Sequence, residues 1–168
     1  DAHHHVWRLS RGDYGWLKPT PELLPIHRDF MLRELRPMLR SANVDATVLV
    51  QAAPTLAETS FLLEVAKASG GLVRGVVGWA PLTEGSGVKK HLEKLAANPK
   101  LRGIRHVIQD ESDPRYILRR DFNEGVRELR AFNLRYDILI FERHLPAAID
   151  FVDRHSGRIM VLPAVLVL

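Results

Sequence analysis

The sequence contains no cysteine, so disulfides, thiolate catalysis and cysteine-bound zinc are all excluded. It also lacks any run of about 18 apolar residues, the minimum for a membrane-spanning helix. The opening residues show no charged segment leading into an apolar stretch, the pattern of a secretory leader. A cytoplasmic protein without a membrane partner is the default expectation. Charge of one sign is not concentrated anywhere: 24 Lys and Arg stand against 20 Asp and Glu, for a net charge of +4. Bases alternate with acids, as in Arg33-Glu34 and along 89–94 and 124–130. A surface that tracks phosphates needs an unbroken basic stripe, so nucleic acid is not an expected partner. A small molecule is.

What is present is enough apolar sequence for one sizeable core, 46% of 168 residues. It is arranged as short apolar runs alternating with amphipathic stretches. The runs at 46–53, 72–80, 101–108, 134–141 and 158–162 are rich in β-branched residues and apolar on both faces, as buried parallel strands should be. Residues 1–6 can form a further strand that polar residues disguise. Between the runs, Thr55 and Glu58 have capping-box spacing ahead of Phe61, Leu62, Val65 and Ala66, and Gly70-Gly71 marks the stop. Helices are likewise expected at 88–97, at 121–132, and from Pro146 to about His155 with Gly157 ending it. An earlier one is expected to start near Pro37 and end before Val44. Strict alternation implies parallel strands joined by right-handed crossovers. Both an open doubly wound sheet and part of an eight-stranded barrel satisfy it. The latter normally needs about 250 residues.

Chemistry is concentrated in Asp1-Ala2-His3-His4-His5-Val6-Trp7. Residues two apart on a strand share a face, so His3 and His5 project together while His4 projects away. Two imidazoles so placed can share a divalent ion, zinc being the usual choice for nitrogen ligands. A tag remnant or three exposed histidines without a role is the alternative. Gln51, Arg105, His106 and His144 each fall at the carboxyl end of an expected strand, where parallel α/β barrels build their active sites. Trp79, closing the third strand, is a candidate wall for a small-molecule pocket. Each also has a structural alternative: Gln51 bonding loop backbone, Arg105 pairing with Asp110 or Glu111, His106 and His144 capping the next helices, and Trp79 packing in the core.

Taken with Val48-Leu49-Val50-Gln51-Ala52, Gly75-Val76-Val77-Gly78-Trp79 and the segment from Gly103-Ile104-Arg105-His106 to Glu111, the opening motif resembles the amidohydrolase-related family of metal-dependent hydrolases. Its nearest branch is that of sugar-lactone and dicarboxylate lactonases. The resemblance implies a (β/α)8 TIM-type barrel, of which this chain covers about the first six strands as a single, incomplete domain over 1–168. It implies ring opening of a lactone by water and one divalent metal, zinc or manganese, although some relatives work without metal. His3, His5 and His144 would be the metal ligands. Arg105 and His106 would be the catalytic pair that handles a substrate carboxylate or hydroxyl, and Gln51 and Trp79 would bind substrate. A decarboxylase or nuclease of the same superfamily is an alternative. So is an inactive barrel acting as an oligomeric interaction module, since 163–168 carries no ionisable group where the family places an Asp-His motif. A homo-oligomer is compatible with either.

Overall fold

The computed structural model describes residues 1–155 and the backbone of Ile159–Met160. The expected stop at Gly157 and the apolar tail 163–168 lie outside the described residues. Five strands, β1 (Thr47–Val50), β2 (Val73–Gly78), β3 (Leu101–Val107), β4 (Arg135–Leu139) and β5 (Ile159–Met160), pair in parallel in the order β1-β2-β3-β4-β5. The disguised first strand lies on the free side of β1. Val48 N–H donates to the Asp1 carbonyl (3.0 Å), His4 N–H to Val48 (3.2 Å) and Val50 N–H to His4 (2.9 Å). Its pairing is brief because Trp7 turns away to bridge Phe30.

Six parallel segments thus follow one another in chain order with no reversal. A doubly wound sheet reverses its order at a switch point, so the architecture is the beginning of a (β/α)8 barrel. The helices α1 (Leu32–Ser41), α2 (Leu56–Ala68), α3 (Lys89–Ala96), α4 (Arg120–Glu128) and α5 (Leu145–Arg154) occupy the connections. Alternate strand residues Leu49, Val76, Ile104, Tyr136 and Ile138 pack outward against Leu62, Ala66, Leu92, Phe122, Val126 and Phe151. The other strand face looks inward. Among the described residues no helix is long and apolar enough to cross a membrane.

Local chemistry explains most boundaries. Thr55 Oγ1 accepts the Glu58 N–H (3.0 Å) to start α2, and Gly70 and Gly71 take positive φ to end it. Asn133, at φ 55°, closes the 3-10 turn that follows α4. The helix expected near Pro37 is α1, and it begins five residues earlier, with Pro37 inside it. The Glu34 carboxylate accepts the Met31 N–H (3.1 Å) and sets the first turn there. Pro37 then forfeits one backbone bond on an exposed face, where water can satisfy the freed carbonyl.

Candidate active site

Extended backbone at the amino terminus splits the three histidines as their spacing predicts. His4 turns toward the helix layer, buried, with Nε2 2.9 Å from Thr47 Oγ1. His3 and His5 turn inward and meet, their Nε2 atoms 3.0 Å apart and their rings edge to face at 4.8 Å. His5 Nδ1 lies 2.9 Å from the Val50 carbonyl. A carbonyl only accepts, so Nδ1 carries the proton and Nε2 keeps its lone pair. Burial and the Arg105 charge hold both imidazoles below the usual histidine range, His5 at about 4. Both are neutral near pH 7.

Arg105 reaches this pair from β3. Its Nη2 donates to the Gln51 carbonyl and its Nη1 stands 3.3 Å from His3 Nε2. Gln51 Nε2 returns a long 3.4 Å bond to the Arg105 carbonyl, bracing β1 to β3 past the intervening strand. Arg105 is 5% exposed, and burial lowers its pKa to about 10, still protonated at neutral pH. The leading opposing influence is the charge of Asp137, its register partner on β4, itself fully buried. Asp137 is absent from the sequence-derived candidates. A carboxylate in the middle of an otherwise apolar strand was the available signal, because such a charge is buried only with a partner.

Of the remaining candidates, Trp79 sits at the end of β2, its backbone N–H donating to Thr59 Oγ1 (2.7 Å), which donates back to the Trp79 carbonyl (2.8 Å). His106 is not brought to the cluster. It follows Arg105 on a strand and so faces the helices, with Nε2 2.7 Å from Glu111 Oε1 and its ring stacked on Tyr116 at 5.1 Å. Glu111 thereby serves His106, not Arg105. His144 is also held apart: fully buried before α5, its Nδ1 accepts the Phe141 N–H (3.1 Å). Among the described residues no three His, Asp or Glu side chains gather as a metal cluster, so His144 does not join His3 and His5. Its position is that of the helix-start cap.

A further buried carboxylate, Glu58, organises the rim. It accepts from the Ala52 N–H (3.1 Å) and the Tyr14 hydroxyl (2.9 Å), with Arg11 Nη2 at 3.4 Å. Burial raises its pKa against these contacts. The capping box is therefore only half formed: Thr55 caps, but Glu58 is diverted to the loop 8–30 that covers the end of β1.

The histidine pair fits two corners of a divalent ion's shell. Nitrogen ligands on tetrahedral zinc, at about 2.0–2.1 Å from the metal, stand roughly 3.3 Å from each other. The observed 3.0 Å is near that value, and the arrangement is frustrated without a cation. If His3 Nε2 is protonated it confronts an Arg105 N–H; if bare, it confronts the His5 lone pair. The His5 bond to Val50 is of the kind that orients a metal-ligating ring.

Residues 1–163 match the amidohydrolase family pattern. Two curated relatives are L-fucono-1,5-lactonases, each 37% identical. The Burkholderia ambifaria protein aligns over 155 residues, 92% of this chain and 52% of its own length. The Burkholderia multivorans protein aligns over 165 residues, 96% and 53% respectively. A crystal structure of a Burkholderia multivorans amidohydrolase with bound zinc superposes with a TM-score of 0.80 at 36% identity, covering 93% of this chain and 54% of that one. The chain spans about half the length of these proteins.

Proposed function

The chain belongs to the amidohydrolase family, and from that premise we propose that the protein opens a six-membered sugar lactone with water, using His3, His5 and Arg105 at the reacting end. The observation that carries this reading is the convergence of two neutral imidazole nitrogens, 3.0 Å apart, with a buried guanidinium 3.3 Å away. Water adds to the lactone carbonyl carbon, and the acyl C–O bond breaks. The ring oxygen leaves as a hydroxyl after taking a proton, and the new acid releases another. Arg105 Nη1 offers an N–H to the carbonyl oxygen as negative charge develops there, and the burial of the guanidinium strengthens that interaction. The ring proton of His5 is committed to Val50, which holds its other nitrogen toward the centre. His3 and His5 would hold zinc or manganese, which supplies Lewis acidity when bound. With Gln51 Nε2 bonded to the Arg105 carbonyl, its Oε1 is buried without a partner among the described residues, placed to accept from a substrate hydroxyl. Trp79, at the end of the neighbouring strand β2, would line the substrate site.

The sugar-lactone class is favoured over a carboxylated lactone by the state of Arg105. Holding a carboxylate takes the whole planar fork. Here Nη2 is committed to Gln51 and the charge is faced by Asp137. Acid release is measured at constant pH from L-fucono-1,5-lactone, from a carboxylated lactone and, as the nuclease control, from DNA. Acid from the first alone is expected. Turnover of only the carboxylated lactone would reverse the substrate class, and no acid from any lactone would remove the hydrolase reading.

A further inference from the structure

We infer that Trp16 is a binding platform for the apolar face of a six-membered sugar ring, held at the end of β1 next to the residue that Arg105 grips. The inference rests on the sugar-lactone reading for its ligand class and on the geometry of loop 8–30 for its place. Trp16 is 43% exposed, unusual for an indole that is also fixed at two points. Its Nε1–H donates to the Ala52 carbonyl (2.8 Å), and its ring stands edge to face on Trp7 at 5.9 Å. Trp7 is anchored in turn: its Nε1–H donates to the Arg28 carbonyl (2.8 Å), and Phe30 packs at 4.9 Å. Beneath, Tyr14 and Leu17 of the same loop pack on Ala53, and Tyr14 is tied to buried Glu58. The exposed indole is therefore held on rigid support rather than on a mobile tip.

Its address matters as much as its rigidity. Consecutive carbonyls at the end of β1 carry the two contacts: Gln51 accepts from Arg105, and Ala52 accepts from Trp16. The ring is thus registered to the reacting end by one peptide unit. A sugar lactone has hydroxyls around its edge and C–H groups on its faces. The edge suits Gln51 and Arg105; a C–H face suits the electron-rich face of an aromatic ring. A pre-ordered indole gains such a contact with little loss of side-chain freedom.

Two measurements test this in the intact protein. In the first, acrylamide quenching of tryptophan fluorescence is followed while free L-fucose is added, a ring of the same size with no acyl bond to break. The most exposed indole should be shielded in the wild type, and the shielded component should be missing in Trp16→Phe. In the second, Trp16→Ala should raise KM for L-fucono-1,5-lactone about tenfold with kcat within about twofold, and Trp16→Tyr should restore most of the loss. Unaltered quencher access in the presence of the sugar would overturn the platform, as would an unchanged KM in a Trp16→Ala protein that melts like the wild type. If no lactone is turned over but the sugar still shields Trp16, the hydrolase reading fails and the platform stands.

Discussion

Between His4 and its two neighbours the difference is only the side of the chain on which each lies, and the consequences separate cleanly. His3→Ala or His5→Ala removes one of two nitrogens from the inward pair, so zinc or manganese content by elemental analysis should fall sharply in either variant. His4→Ala leaves that pair intact and should keep wild-type metal content. It removes a buried bond to Thr47 instead, costing about 1–3 kcal/mol in urea unfolding. Equal metal content in all three variants would dissociate the pair from metal binding. Asp137 makes a different kind of claim. Replacing it with Asn leaves Arg105 buried without its opposing charge, a change expected to cost on the order of 3 kcal/mol. The double variant Asp137→Asn with Arg105→Met should be more stable than Asp137→Asn alone, because the stranded charge is gone. Additive losses in that cycle would mean the two residues do not compensate each other.

At the scale of elements, α4 shows how a packing constraint overrides local preference. Gly125 lies in the middle of α4, where propensity alone makes Ala better by about 1 kcal/mol. A Cβ there would fall on the Leu82 carbonyl oxygen of the 3-10 segment Leu82–Val88 ahead of α3, which is backbone and cannot rotate away. Gly125→Ala should therefore destabilise by about 3 kcal/mol, read as a lowered urea midpoint with unchanged slope. Gly71 is the contrasting case: nothing lies within 4 Å of an added Cβ, and its φ of 90° alone makes it glycine. The same distinction governs what could be read in advance. Apolar periodicity located the strands and most helices, because burial on one or both faces is written residue by residue. Pro37 misled for α1, because a proline on a solvent-facing side costs one bond and does not stop a helix.

For the whole molecule, the barrel-forming strand order could not be read from alternation, since a sheet that reverses direction alternates identically. Two-residue periodicity combined with strand ends picked out His3, His5, Arg105 and Gln51, which the structure brings together. His106 and His144 were drawn in by the second criterion alone, and the first would have turned His106 away. Glu58 and Trp16 make contacts distant in sequence, which no local pattern records, while Asp137 shows only as a charge inside an otherwise apolar strand. The buried histidines also give the molecule a common response to acid. His3, His4, His5 and His155 all have pKa values below 6.5, chiefly through burial, His5 and His155 at about 4. For a group whose folded pKa is depressed, the folded state binds fewer protons than the unfolded chain. Its stability is complete above the unfolded value and is lost as pH falls through the folded value. Glu58 has a raised pKa and the opposite sign, so it offsets part of the effect, but one group stands against four. The melting temperature should therefore fall as pH is lowered from about 6.5 to 4. His155 isolates a share of this away from the site: its Nε2 bonds Asn123 Oδ1 at 2.8 Å, while Arg127 on α4 and Arg154 on α5 further disfavour its charged form. His155→Gln keeps an amide donor for Asn123 but cannot titrate, so its melting temperature should decline less steeply over that window. Parallel melting curves for the two proteins would mean that the proton taken up on acid unfolding goes elsewhere.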